Sequence, residues 1–164
     1  MNTPEFMIEI FLQPGEFYWS NEDTRIRTIL GSCVAICTWH PIKKIGGMTH
    51  SLLPLRETPH LGEISGRYID ESIDLILLEI FKSNTRIKDY EVKIFGGGDM
   101  LGKLNKDDSM KIGARNVKKA KELMLNLGFN VTKEHVGGEG HRNIFFDLWS
   151  GDVWLQHKEL SRNK

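Results

Sequence analysis

Cysteine is scarce in this sequence: among 164 residues there are two, Cys33 and Cys37. If they share one strand, four residues put their Cα atoms about 13 Å apart, against about 5.5–6 Å in a disulfide. Two thiols are also too few for a cysteine zinc site. The cysteines are therefore buried structural thiols or include a lone nucleophile, and unpaired thiols fit a reducing cytoplasm. Long apolar runs are missing as well, since no stretch approaches the roughly 18 residues of a membrane span. Residues 1–15, punctuated by Pro4, Glu5, Glu9 and Pro14, have neither a basic leading region nor a small-residue cleavage site, so no signal peptide is expected. An excess of one charge is absent, with 22 Lys+Arg against 22 Asp+Glu, which argues against a nucleic-acid partner. No repeat of fixed period and no low-complexity tract divides the chain.

What is present is an ordinary globular composition, 40% hydrophobic and 27% charged. The length predicts one domain over residues 1–164, able to bury about 70% of its unfolded surface without a staple. Two helices stand out. From Tyr68 to about Ser83 the apolar residues Ile69, Ile73, Ile76, Leu77, Ile80 and Phe81 form one helical face, opposite Asp70, Glu71, Asp74 and Lys82. From about Ala114 to Leu127, the residues Val117, Ala120, Met124 and Leu127 form another, with Gly128 placed to end it and Lys118, Lys119 and Lys121 as a solvated face. Strands are predicted at Cys33–Trp39 and Ile45–Leu53, joined as a hairpin around Pro41, then at 92–95 and 129–136. Asn143–Leu148 and Asp152–Gln156 flank a turn at Trp149-Ser150-Gly151. About eight strand segments with two helices make an α+β fold, a mixed α/β sandwich whose helices cover sheet faces. The polar Pro54–Gly66 segment is the expected mobile loop and one rim of a site.

Gly31-Ser32-Cys33, leading into an apolar strand, is the most informative segment. Glycine permits a close turn, and successive amides beside a cysteine can cradle an anion. A thiol there can lose its proton to a neighbouring base, and the Gly31 and Ser32 backbone can hold the oxyanion formed when it attacks a carbonyl. Equally, Cys33 can be a small buried apolar residue. His50 ends the next strand, and the midpoint of Cys33 and His50 falls at the Pro41 turn. A hairpin about that point sets the two residues opposite each other, with Cβ atoms about 4.5–5.5 Å apart, so imidazole can take the thiol proton. A histidine merely packed at a strand end is the alternative.

The other polar clusters carry less. Cys37, deeper in the apolar run, reads as core, and His40 and His60 as surface. His135, Glu139 and His141 match no compact metal-ligand spacing, so no metal is assigned. Gly96-Gly97-Gly98-Asp99 lacks the Lys-Ser/Thr of a phosphate loop, and its glycines are expected to let backbone pass close to backbone.

Several of these segments together resemble the CheD family of chemoreceptor glutamine deamidases. They are Pro14-Gly15-Glu16, Gly31-Ser32-Cys33-Val34-Ala35, Gly46 to Pro54 with His50, Ile94-Phe95-Gly96-Gly97-Gly98, Ile112-Gly113-Ala114-Arg115-Asn116 and Gly137-Gly138-x-Gly-x-Arg142, in the family's order. The resemblance implies an α/β sandwich related to deamidating toxin domains. It also implies a cytoplasmic hydrolase that converts glutamine to glutamate on methyl-accepting chemotaxis receptors without a cofactor. The family's cysteine falls on Cys33 and its histidine on His50. The threonine falls nearest Thr28, the adjacent slot being Arg27. Many members also bind CheC, a phosphatase that mimics the receptor and inhibits the deamidase. Two other readings stay open: a non-catalytic adaptor binding receptors or CheC, and a receptor methylesterase.

Overall fold

The computed structural model describes residues 2–58, 62–102 and 111–161. Among them the order is β1 (Ile8–Phe11), β2 (Phe17–Ser20), β3 (Thr24–Leu30), β4 (Val34–His40), β5 (Ile45–Thr49), α1 (Ile69–Lys82), a 3-10 turn (Ile87–Asp89), β6 (Glu91–Gly96), α2 (Ile112–Asn126), β7 (Asn130–Val136), β8 (His141–Asp147) and β9 (Val153–Lys158). The strands form two sheets, β1-β3-β8-β9 and β2-β5-β4-β6-β7. Only β1/β3 and β6/β7 run parallel. This is the α+β fold expected of the sequence.

Strand β4 is buried along its whole length, so it reads as a continuous apolar run rather than an alternation. Its two faces serve two cores. Val34 and Ile36 pack with Ile69, Ile73, Ile76 and Ile80 of α1 and with Ala120 and Met124 of α2. Ala35, Cys37 and Trp39 point the other way, onto Ile26 and Leu30 of β3 and Ile144 and Phe146 of β8. The layers are therefore helices, five-stranded sheet, four-stranded sheet.

Both helices lie within two residues of their expected limits, but their faces differ in detail. Phe81 is exposed, because at 100° per residue it points away from the Ile73–Ile76–Ile80 seam at the helix end. Helix α2 buries Gly113, Asn116, Ala120 and Met124, while Leu127 lies at its exposed end. Gly128, at φ +82°, follows the last turn as expected. His40 is buried rather than on the surface. Its Nδ1 accepts from the amides of Ile42 and Lys43, and its ring meets Tyr90 edge-on at 5.1 Å. His60 lies outside the described residues.

The glycines at the end of β6 permit close backbone approach. Gly97 has φ +65°, and a Cβ there would collide with Val117 of α2 and come within 2.8 Å of the Gly113 carbonyl. A Cβ on Gly113 would in turn lie 2.6 Å from the Gly97 carbonyl. Gly97→Ala therefore combines a left-handed backbone cost with a steric one and is expected to lower unfolding stability by roughly 2 kcal/mol or more. Urea titration of the variant beside the wild type measures this.

Candidate active site

Gly31-Ser32-Cys33 is the link on which the chain leaves the four-stranded sheet (β3) and enters the five-stranded one (β4). Every carbonyl of this link is held. Gly31 O accepts from Gly98 N at 2.9 Å, and Cys33 O accepts from Gly97 N at 2.8 Å. Ser32 O accepts from Asn116 Nδ2 at 3.1 Å. Among the described residues, no carbonyl accepts from the amides of Ser32 or Cys33. The link thus turns its acceptors toward the protein and leaves donors for an incoming negative charge. The Cys33 side chain is half-buried; burial pushes its thiol up, opposed by a hydrogen bond from its own backbone amide.

His50 is held on two sides. Its amide donates to Glu16 O at 3.1 Å, and its carbonyl accepts from Gly15 N at 2.8 Å. The buried ring reaches Thr28 on β3, with Nδ1 2.7 Å from Oγ1. The Thr28 hydroxyl also lies 2.7 Å from the Leu12 carbonyl, to which it donates. A hydroxyl has one proton. Since the carbonyl takes it, Nδ1 must be the donor to Oγ1, and Nε2 keeps its lone pair. Burial lowers the His50 pKa to about 4, with the charge of Glu16 acting weakly in the opposite sense. The imidazole is therefore neutral at neutral pH, in the tautomer of a base.

The sequence midpoint put Cys33 directly across from His50; the register is two residues away from that. Cys37 pairs with Met48 and His40 with Ile45, and Val34 bridges Ser51. The turn is Pro41–Lys44, with Lys44 at φ +49° and its amide bonded to His40 O at 2.8 Å, so the hairpin centre lies one residue later than expected. A two-residue slip conserves the face. Extended through the Val34–Ser51 bridge, this register sets His50 opposite Ala35 and makes Cys33, one pleat earlier, its diagonal neighbour, a relation that typically separates residues by about 7–8 Å and their Cβ atoms by somewhat less. Both thus belong to the layer between the sheets, where Thr28 also lies, with Ile26 and Leu30 on the buried face of β3. Among the described residues Cys33 Sγ makes no hydrogen bond to another side chain. Burial disfavours the charged form of both groups, the thiolate of Cys33 and the imidazolium of His50.

Two further residues build this region; both lie in segments that carry the family resemblance, with no role assigned to them from the sequence. Asn116 joins the Ser32 carbonyl to that of Leu52, the latter at 2.9 Å. Its sequence signals are its place in Ile112-Gly113-Ala114-Arg115-Asn116 and on the stripe that continues through Ala120 and Met124. Arg142 is buried, and donates from Nε to His135 Nδ1 at 2.8 Å and from Nη2 to Gly137 O at 2.6 Å, which ties down the late glycine loop. Beside Ser32 lies a groove of about 250 Å³ walled by Gly98, Asp99, Met100, Leu101, Lys111, Ile112 and Gly113. A larger hollow of about 580 Å³ lies against residues 53–58, Tyr68 and Arg115. Of the expected 54–66 rim, residues 54–58 border a hollow shared with Arg115 of α2, while residues 59–61 lie outside the described residues; the wall nearest the cysteine link comes from 98–101 and 111–113. No group of three or more metal-ligating side chains is gathered among the described residues.

With this geometry in place, the chain was compared with known proteins. A family model described as CheD chemotactic sensory transduction matches residues 52–157. That span begins after Thr28, Cys33 and His50. The chain is 45% identical over 154 residues, 93% of its length and 89% of the relative's, to a probable chemoreceptor glutamine deamidase CheD 3 of Dechloromonas aromatica (strain RCB). It is 42% identical over 161 residues, 98% of its length and 90% of the relative's, to a probable chemoreceptor glutamine deamidase CheD of Pseudomonas savastanoi pv. phaseolicola (strain 1448A / Race 6). A probable chemoreceptor glutamine deamidase CheD 1 of Leptospira interrogans serogroup Icterohaemorrhagiae serovar Lai (strain 56601) is 39% identical over 165 residues, covering 95% of this chain and 96% of the relative.

The burial of His50 also has a consequence for stability. The folded pKa, about 4, lies below the ordinary value near 6.5, so the fold favours the neutral ring. Its contribution is complete above pH 6.5 and is lost as pH falls toward 4, amounting to about 3 kcal/mol across that interval. His50→Gln is expected to flatten the pH dependence of unfolding between pH 6.5 and 4. Urea midpoints across that range, wild type beside variant, measure the difference.

Proposed function

The chain belongs to the CheD family, and from that premise we propose that it hydrolyses glutamine side-chain amides on chemotaxis receptors to glutamate, with Cys33 as nucleophile and His50 as its base. The observation that carries this reading is the Thr28 hydroxyl shared between the Leu12 carbonyl and His50 Nδ1. It leaves Nε2 unprotonated in the layer that also holds Cys33.

In this scheme His50 Nε2 takes the thiol proton as sulfur bonds to the amide carbon. The amides of Ser32 and Cys33, with the Gly31 backbone shaping the turn, receive the oxyanion. Collapse of the adduct breaks the C–N bond, and the proton on Nε2 goes to the leaving ammonia. Water then gives a proton to Nε2 as its oxygen bonds to the thioester carbon; collapse of that adduct breaks the C–S bond, the Nε2 proton returns to sulfur, and glutamate leaves with the Cys33 thiol restored. A resting neutral pair is suited to this, because charge appears only with the substrate in place and the amides meet it there. Thr28 acts through His50 and is a positioning residue. The reaction is placed in the cytosol, where receptor signalling helices lie. CheC remains the partner implied by family likeness, with no surface assigned to it.

The test is mass spectrometry and ammonia release with a receptor cytoplasmic fragment. Wild type is expected to add about one mass unit per modified site and release equimolar ammonia, both abolished in Cys33→Ala. Thr28→Val, which frees the tautomer, is expected to lower kcat by roughly a hundredfold or more. Methanol release from methylated receptor would establish an esterase instead. Receptor binding without either product would establish an adaptor.

A further inference from the structure

Asn116 is fully buried on the sheet-facing side of α2, where the stripe through Ala120 and Met124 calls for an apolar side chain. Its Nδ2 supplies both its protons, one to Ser32 O at 3.1 Å and one to Leu52 O at 2.9 Å. Among the described residues its Oδ1 has no partner. An unmet buried acceptor lowers stability, so packing alone does not explain an asparagine at this position. The two carbonyls it joins belong to the residue before Cys33 and the second residue after His50.

We propose that Asn116 is a positioning residue for Cys33, holding the Ser32–Cys33 peptide plane so that the Cys33 amide faces the sulfur and the oxygen of the reacting group. The inference rests on the deamidase reading above and names the residue that orients its oxyanion donor. A trans peptide is planar, with its C=O and N–H on opposite sides. Fixing the Ser32 carbonyl toward α2 therefore turns the Cys33 N–H away from α2. The Cys33 amide does lie against its own sulfur and favours the thiolate. The neighbouring planes are fixed the same way, through Gly98 N on Gly31 O and Gly97 N on Cys33 O. All three donors come from one unit, because Gly97 and Gly113 pack backbone against backbone where β6 ends and α2 begins. Asn116 is the member of this set that is a side chain, and so the one a substitution can remove.

A purely structural stitch and a positioning role differ in what they move. Loss of a stitch lowers the melting temperature. Loss of the plane's orientation also takes a hydrogen bond from the Cys33 thiolate. The experiment uses Asn116→Leu, which keeps the branching and the number of heavy atoms, and the smaller Asn116→Ala. It reads iodoacetamide alkylation of Cys33 by peptide mass across pH, together with kcat and KM for deamidation. The alkylation midpoint is expected to rise by roughly half a pH unit or more, with kcat down about tenfold and KM within about twofold. A lower melting temperature with unchanged midpoint and kcat would overturn the proposal. If neither variant folds, the wild type alone decides through its Cys33 amide proton resonance. That resonance is expected to shift as the thiol titrates, and an unresponsive one would refute the assignment. A wild type that releases no ammonia would defeat the deamidase reading while leaving alkylation and the amide resonance to judge Asn116.

Discussion

A single hydroxyl proton organises this molecule's chemistry. Thr28 gives it to the Leu12 carbonyl, so His50 must donate from Nδ1 and present Nε2 as a lone pair. The three groups come from different parts of the chain: Leu12 follows β1, Thr28 lies on β3 of one sheet, and His50 follows β5 of the other. They meet because the two sheets bury Ile26, Leu30, Ala35 and Cys37 between them. The hydrophobic effect that packs the sheets therefore also sets the tautomer, and a loosened sheet interface would release both.

Burial shifts the Cys33 thiol and the His50 imidazole in opposite directions, and both shifts favour the uncharged form. The thiol is pushed up and the imidazole down, so an ion pair would be costly at rest. In the proposed reaction the cysteine link answers this: with its carbonyls taken by Gly97, Gly98 and Asn116, its amides would be most favourable when negative charge develops on sulfur or on the attacked oxygen. The positive-φ glycines at the end of β6 and the Gly113 contact let β6, α2 and the link come close enough for this arrangement.

Much of this was legible in the residues. The α1 and α2 stripes, the two hairpins and the backbone role of Gly96-Gly97-Gly98 follow from periodicity and turn chemistry. Less visible was the first third of the chain. Strands β1 and β2 have four residues each, too few for alternation to register, and β3 runs into the cysteine link without a break in composition. That the link is a change of sheet, not the mouth of one strand, depends on Thr28 and Leu30 pairing with β8 while Val34 pairs with β6. Such tertiary choices leave no local signal. The hairpin register was missed because a turn of four residues and one of fewer look alike around Pro41. The roles of Asn116 and His40 were hidden for a shared reason: what a polar residue does in a buried position is recognisable only once its partners are known.

The tautomer of His50 is the point on which the rest turns, and nitrogen-15 NMR of the imidazole reads it directly. At pH 7 the ring is expected to show a protonated Nδ1 and an unprotonated Nε2, with titration deferred to about pH 4. A ring protonated on Nε2, or an imidazolium at pH 7, would contradict the arrangement described.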